Sequence, residues 1–152
     1  DAGLASEVSL EKLITESDFV SLHAPLTEGT RALVNADFMQ AMKSTACLVN
    51  CARGGLVDHD ALLTALHEGD IAGAALDVFE PEQLSPDHPL LQLDNLIATP
   101  HVAFYSAESV AELQRRASMN VAAILAGHLP EAIINPEVLE RPRWRHLTDS
   151  TD

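Results

Sequence analysis

The chain has 152 residues and carries 9 lysine and arginine against 23 acidic residues, a formal net charge of −14. At 47% hydrophobic residues it is expected to fold, since a disordered chain of this charge would be poorer in apolar side chains. The length suits one domain of ordinary size, and the acidity argues against a nucleic-acid or anionic-membrane surface, whose phosphates would repel it.

The segment Asp1 to Glu16 has neither a basic start nor an apolar core, so no signal peptide is expected. No apolar run approaches the roughly 20 residues that span a bilayer. The first strand is expected over Phe19–Leu22 (FVSL). Asn35 then caps a short helix through Met42. A second strand is expected over Ala46–Asn50, and it contains Cys47. Cys51 follows four positions later, about 13 Å along a strand, too far for a disulfide. No further Cys or His pair stands at metal-ligand spacing, so no metal site is expected and the chain reads as reduced and cytoplasmic.

Asp58 can cap a helix from His59 to Glu68, stopped by Gly69, with Ala61, Leu62, Ala65 and Leu66 forming an apolar face. Strands over Ile71–Phe79 and Leu96–Ala98 complete the set. Such continuous apolar runs fit strands covered on both faces. Strand, helix, strand, helix, strand is a βαβ pattern, which predicts right-handed crossovers and helices on both faces of an open parallel sheet. A long helix is expected from Ala107 to Ala126, with Ser106 as N-cap, Gly127 as stop, and Val110, Leu113, Ala117, Val121 and Ile124 on one face. Residues 128–140 contain Pro130 and Pro136 and read as extended, and 141–152 read as a flexible polar tail. Trp144 among Arg141, Arg143 and Arg145 makes a small basic surface patch there.

In an open parallel sheet, ligands bind beyond the carboxyl ends of the strands. The residues following those ends are His23-Ala24-Pro25, Cys51 to Gly55, Asp77 to Glu82, and Thr99-Pro100-His101. Arg53 is the only Lys or Arg between Ser44 and Gln114, a span holding eleven acidic residues. A guanidinium fork suits a carboxylate or keto-acid substrate, and two glycines after it allow a sharp turn; pairing with a neighbouring acid is the other reading. His101 can exchange a proton near neutral pH, or can be one of seven histidines with a structural role. Glu82 can orient that ring, or be a solvated acid. His59, between Asp58 and Asp60, reads as part of a helix start enriched in acids, and Asp87-His88-Pro89 as a loop.

The stretches SDFVSLHAPLTEGT, LVNCARGGLVDHDALLTAL, AGAALDVFEPE and NLIATPHVAFYS, in that order, resemble the D-isomer-specific 2-hydroxyacid dehydrogenases from about Val8 to Glu140. PHVAFYS is similar to the branch that includes the C-terminal-binding-protein corepressors and related bacterial dehydrogenases, with phosphoglycerate, glyoxylate and D-lactate dehydrogenases expected as more distant relatives. The resemblance implies an α/β fold, a Rossmann-type doubly wound parallel sheet, here incomplete and corresponding to the C-terminal half of the nucleotide-binding domain. It places that portion at 1–106, a long crossing helix at 107–127 and a return segment toward the substrate domain at 128–140. It implies NAD as cofactor, with NADP left open, a small 2-keto or 2-hydroxy acid as substrate, and a homodimer for the intact parent.

By the same resemblance, Arg53 anchors the substrate carboxylate and keto oxygen, His101 is the general acid and Glu82 its partner. Formate dehydrogenases of the superfamily carry Gln at the position of Glu82, which disfavours that reading. Asp77 matches the residue that holds the nicotinamide carboxamide. Ala24, Cys51, Ala52, Arg53 and His101, Val102, Ala103 and Phe104 match positions lining the cofactor. Phe104 and Tyr105 replace small residues of other branches and can narrow the pocket or pack on the following helix. The family's G-x-G-x-x-G does not occur in these 152 residues. The chain is therefore expected to be a dehydrogenase fragment that binds NAD weakly and leaves a sheet edge or apolar surface exposed. The alternatives from other classes are an NAD(H)-sensing, corepressor-like interaction module and an inactive truncated remnant.

Overall fold

Serine 9 accepts the Lys12 amide through its hydroxyl and starts a helix for which the reading above has no element, α1 (Leu10–Glu16). The computed structural model describes residues 5–147, in two compact units that part between Ala103 and Phe104. In the first unit α1 leads into β1 (Phe19–Leu22), α2 (Ala36–Ala41), β2 (Cys47–Asn50), α3 (His59–Glu68), β3 (Gly73–Leu76) and β4 (Leu96–Ala98). The four strands form one sheet in the order β1-β2-β3-β4, every pair parallel. This is the open parallel sheet expected from the apolar runs, and it agrees with the Rossmann-type sheet that the resemblance implies.

The caps act as anticipated. Asn35 accepts the Phe38 amide at the start of α2, Asp58 accepts those of Asp60 and Ala61 at the start of α3, and Gly69 closes α3 at φ 77°. The register aligns Val20, Leu48, Ala74 and Leu96, and then Leu22, Asn50, Leu76 and Ala98. That face meets Phe38 and Met39 of α2 and Leu62, Ala65 and Leu66 of α3 in one core. Burying each of the larger side chains contributes roughly 1.5–3 kcal/mol.

Three expectations are corrected. Coverage of both sheet faces is not met among the described residues of this unit, because the opposite face carries Phe19 at 73% and Ile97 at 69% exposure. The strand expected over Ile71–Phe79 contracts to Gly73–Leu76. Ile71 turns into the core, and a Cβ on Gly73 would lie 2.9 Å from the Asn95 carbonyl, so only glycine lets the chains close here. Beyond Leu76 the chain leaves the ladder toward the site described below.

In the second unit α4 (Ala107–Leu125) begins with a capping box in which Ser106 and Ser109 satisfy each other's backbone amides, and Gly127 follows it at φ 85°. Its expected apolar face stays open: Leu113 is 61% and Val121 58% exposed. The third correction lies downstream. Residues 136–140 form a 3-10 turn, not extended chain, because Pro136 at its first position has a backbone preset for a helical turn. Arg141 and Trp144 accept successive turn hydrogen bonds, and the Arg143 guanidinium sits 4.8 Å from the Trp144 ring centre. Of the tail expected at 141–152, residues 148–152 lie outside the described residues, as do 1–4. No helix among the described residues is long and apolar enough to cross a membrane.

Candidate functional site

Because all four strands run the same way, their C-terminal ends share one edge of the sheet, and the candidate residues of the first unit follow those ends. At the end of β2 the chain makes a turn through Cys51, Ala52 and Arg53 before a 3-10 turn at Gly54–Leu56. Arg53 is exposed, and its Nη1 donates to the Ala52 carbonyl at 2.6 Å. Among the described residues no carboxylate lies within ion-pair distance of it. Its pairing with a neighbouring acid, open in the sequence, is not what this structure holds.

Gly54 and Gly55 let that turn press against the loop after β3. A Cβ on Gly54 would come within 2.1 Å of the Phe79 carbonyl carbon, and one on Gly55 within 2.1 Å of the Glu80 carboxylate. Glu80 in turn pairs with Arg31 at 2.8 Å. The arginine turn and the loop carrying Glu82 are therefore in direct backbone contact at Gly54, which tolerates no side chain without displacing that loop, whereas one on Gly55 would meet the Glu80, Leu26 and Arg31 side chains.

The histidine loop is organised by a buried carboxylate. Asp77, 4% exposed, accepts the Thr99 hydroxyl and the Val102 amide on Oδ1 and the Ala103 amide on Oδ2, at 2.5, 2.8 and 2.9 Å. Its own carbonyl accepts the His101 amide at 2.8 Å. These bonds hold His101 at φ 56°, a left-handed conformation uncommon outside glycine. Burial pushes the Asp77 carboxyl up, but the hydrogen bonds from Thr99, Ala103 and Val102, with the nearby His101, outweigh it and hold the group below the usual aspartate value.

His101 Nδ1 meets Glu82 Oε1 at 2.5 Å, bringing together two residues that the sequence separates by nineteen positions. Both side chains are about half exposed. With Nδ1 engaged by the carboxylate, Nε2 is the nitrogen placed to pass a proton to a ligand. Ala24, half-buried, and Cys51, exposed, follow β1 and β2, and Val102 and Ala103 are exposed beside the histidine. Phe104 begins the second unit and is 56% exposed. Cys47 and Cys51 are free thiols, and His59 and His88 sit at the starts of α3 and of a 3-10 turn.

Sequence reading passed over two residues that shape this edge. Thr99 is the hydroxyl on Asp77. Asn50, fully buried at the end of β2, donates to the Arg53 carbonyl and accepts the Ala52 amide. The available signal was a polar residue closing an apolar strand.

Comparison with known proteins gives the family. Residues 1–103 match the family described as D-isomer specific 2-hydroxyacid dehydrogenase, NAD binding domain. The chain is 48% identical over 131 residues to a glyoxylate reductase of Thermofilum pendens, covering 86% of this chain and 39% of that protein. It is 45% identical over 130 residues to a D-3-phosphoglycerate dehydrogenase of Methanocaldococcus jannaschii, covering 83% and 24%. Among solved structures, the TT0316 protein of Thermus thermophilus superposes with a TM-score of 0.80 at 44% identity, over 84% of this chain and 40% of that one. The NAD-complexed D-isomer specific 2-hydroxyacid dehydrogenase of Lactobacillus delbrueckii ssp. bulgaricus does so with a TM-score of 0.77 at 34% identity, over 84% and 43%. The chain thus spans about two-fifths of the length of the glyoxylate reductases it matches. By family match, parallel sheet and ordered strand-end motifs together, the chain belongs to the D-isomer specific 2-hydroxyacid dehydrogenase family, through its NAD binding domain.

Proposed function

We propose that the intact protein containing this chain is an NAD(P)-dependent 2-hydroxyacid dehydrogenase that reduces a short 2-keto acid, glyoxylate being the first candidate from the names of its relatives. The observation that carries this reading is the His101–Glu82 contact at the carboxyl edge of a parallel sheet. The nicotinamide, when bound, supplies the hydride. Arg53 holds the substrate carboxylate and the keto oxygen through its planar fork. His101 delivers a proton from Nε2 to the carbonyl oxygen, and Glu82 orients the ring and stabilises its charged form. Asp77 would hold the cofactor's carboxamide, with Val102 and Ala103 lining the site beside it. Ala24, Cys51 and Ala52 complete the cofactor lining of the first unit in this reading, and a cytoplasmic homodimer is the working assembly.

The test is NADH oxidation by the intact protein with glyoxylate, hydroxypyruvate and pyruvate. His101→Ala is expected to lower kcat by roughly 10²–10⁴-fold, the usual worth of a positioned acid. Arg53→Ala is expected to act mainly on the KM for the keto acid. A flat panel of 2-keto acids combined with tight NADH binding would replace this reading with that of an NADH-sensing interaction module.

A further inference from the structure

The turn that carries Arg53 is templated by a side chain with no part in the chemistry above. Asn50 and Asp77 are the buried polar residues among the described ones. Asn50 shares its register row with Leu22 and Leu76, both buried and apolar, so a hydrophobe would suit its position better if packing alone mattered. Both ends of its amide are spent on the three residues that follow. Nδ2 donates to the Arg53 carbonyl at 2.9 Å and Oδ1 accepts the Ala52 amide at 3.0 Å.

Ala52 is then held from two sides. Its N–H goes to Asn50 and its carbonyl receives the Arg53 guanidinium at 2.6 Å. The peptide on which the guanidinium rests is therefore oriented by the Asn50 amide. The Asn50 backbone does a second job, since its carbonyl accepts the amide of Asp77, the residue that holds the His101 loop.

We propose that Asn50 is the positioning residue for Arg53, aiming its guanidinium at the substrate carboxylate without touching substrate or cofactor. This rests on the reading of Arg53 as the carboxylate anchor. A carboxamide is required because one group must both donate and accept within the turn; aspartate keeps the acceptor and loses the donor, and alanine loses both.

The experiment compares wild type, Asn50→Ala, Asn50→Asp, Arg53→Ala and the double variant Asn50→Ala/Arg53→Ala in the intact protein. Asn50→Ala is expected to raise the KM for the keto acid about tenfold or more, with the KM for NADH held within about twofold. In the Arg53→Ala background the same change is expected to add less than about twofold, because the group it positions is gone. Amide exchange at Ala52 is expected to quicken in Asn50→Ala and to stay protected in Asn50→Asp. Losses that multiply in the double variant, equal rises in both KM values, or an unchanged Ala52 exchange rate would each overturn the proposal. Should Asn50→Ala fail to fold, Asn50→Asp decides alone: a raised keto-acid KM supports the role and a wild-type value overturns it. If wild type turns over no 2-keto acid, the dehydrogenase reading fails, while Ala52 exchange still judges whether Asn50 templates the turn.

Discussion

The two units of the chain hold their helices by opposite means. In the first, α3 buries Leu62, Ala65 and Leu66 in a core shared with β2 and β3, and its caps only trim its ends. In the second, α4 is longer yet buries no residue. Its order rests on the Ser106–Ser109 capping box and on Glu112, which grips Arg115 at 2.7 Å and Arg116 at 2.6 Å. Those arginines hold the Glu112 carboxyl down to about 2, so it stays ionised at any ordinary pH. A surface ion pair nonetheless contributes little, because water and salt screen it. Capping and pairing define where a helix runs; burial decides how strongly it resists unfolding.

The sharpest way to break that contrast is to truncate one leucine in each unit. Leu48→Ala, at a fully buried site in β2, is expected to cost about 2–5 kcal/mol in urea unfolding. Leu125→Ala, at 82% exposure in α4, is expected to stay within about 0.5 kcal/mol. Equal losses would show that the second unit depends on apolar packing as much as the first.

A smaller effect should separate the site loop from the core beneath it. Asp77→Asn is expected to cost about 1–3 kcal/mol near neutral pH, since an amide nitrogen would face donors that need an acceptor. The folded Asp77 titrates below the ordinary 3.8, so its stabilisation is fully present above that value and is lost as pH falls through the folded pKa. The gap between wild type and variant should therefore narrow in acid. A gap independent of pH would remove the carboxylate from the account of the His101 loop.

The least costly changes belong to α4. Ser106→Ala is expected to cost about 0.5–2 kcal/mol, seen as faster amide exchange in the first turn of that helix. Glu112→Gln should do less, and its effect should fade in about 1 M salt. An ion-pair effect that survives such salt would mean the pair is shielded from solvent.

How much of this could be read before folding depended on how far apart the partners lie. Asn35, Asp58 and Ser106 were legible as caps because each bonds an amide two or three residues on. β1 and β4 matched their apolar runs, whereas β3 did not, because its close pairing with β4 is set by Gly73 against Asn95. α1 was missed although Ser9 caps it three residues before Lys12, and of its seven residues Ile14 is the buried one. Arg53, Glu82 and His101 were singled out as strand-end residues and Glu82 was matched to His101, but the groups that hold Asp77 were not. Thr99 and the amides of Val102 and Ala103 reach Asp77 across more than twenty positions of chain.

By itself, then, the sequence determined the parallel α/β class, the helix ends, the strand-end placement of Arg53, Asp77 and His101, and an isolated cation in an acidic stretch. Local hydrogen bonds and side-chain periodicity act within a few residues, and that range is written into the order of the amino acids. Only the tertiary structure decided that Arg53 rests on Ala52 instead of a carboxylate, that Glu82 meets Nδ1 of His101, and that Asn50 and Asp77 hold the two loops. Those contacts depend on strands lying side by side in one register, and no short stretch of sequence carries that information.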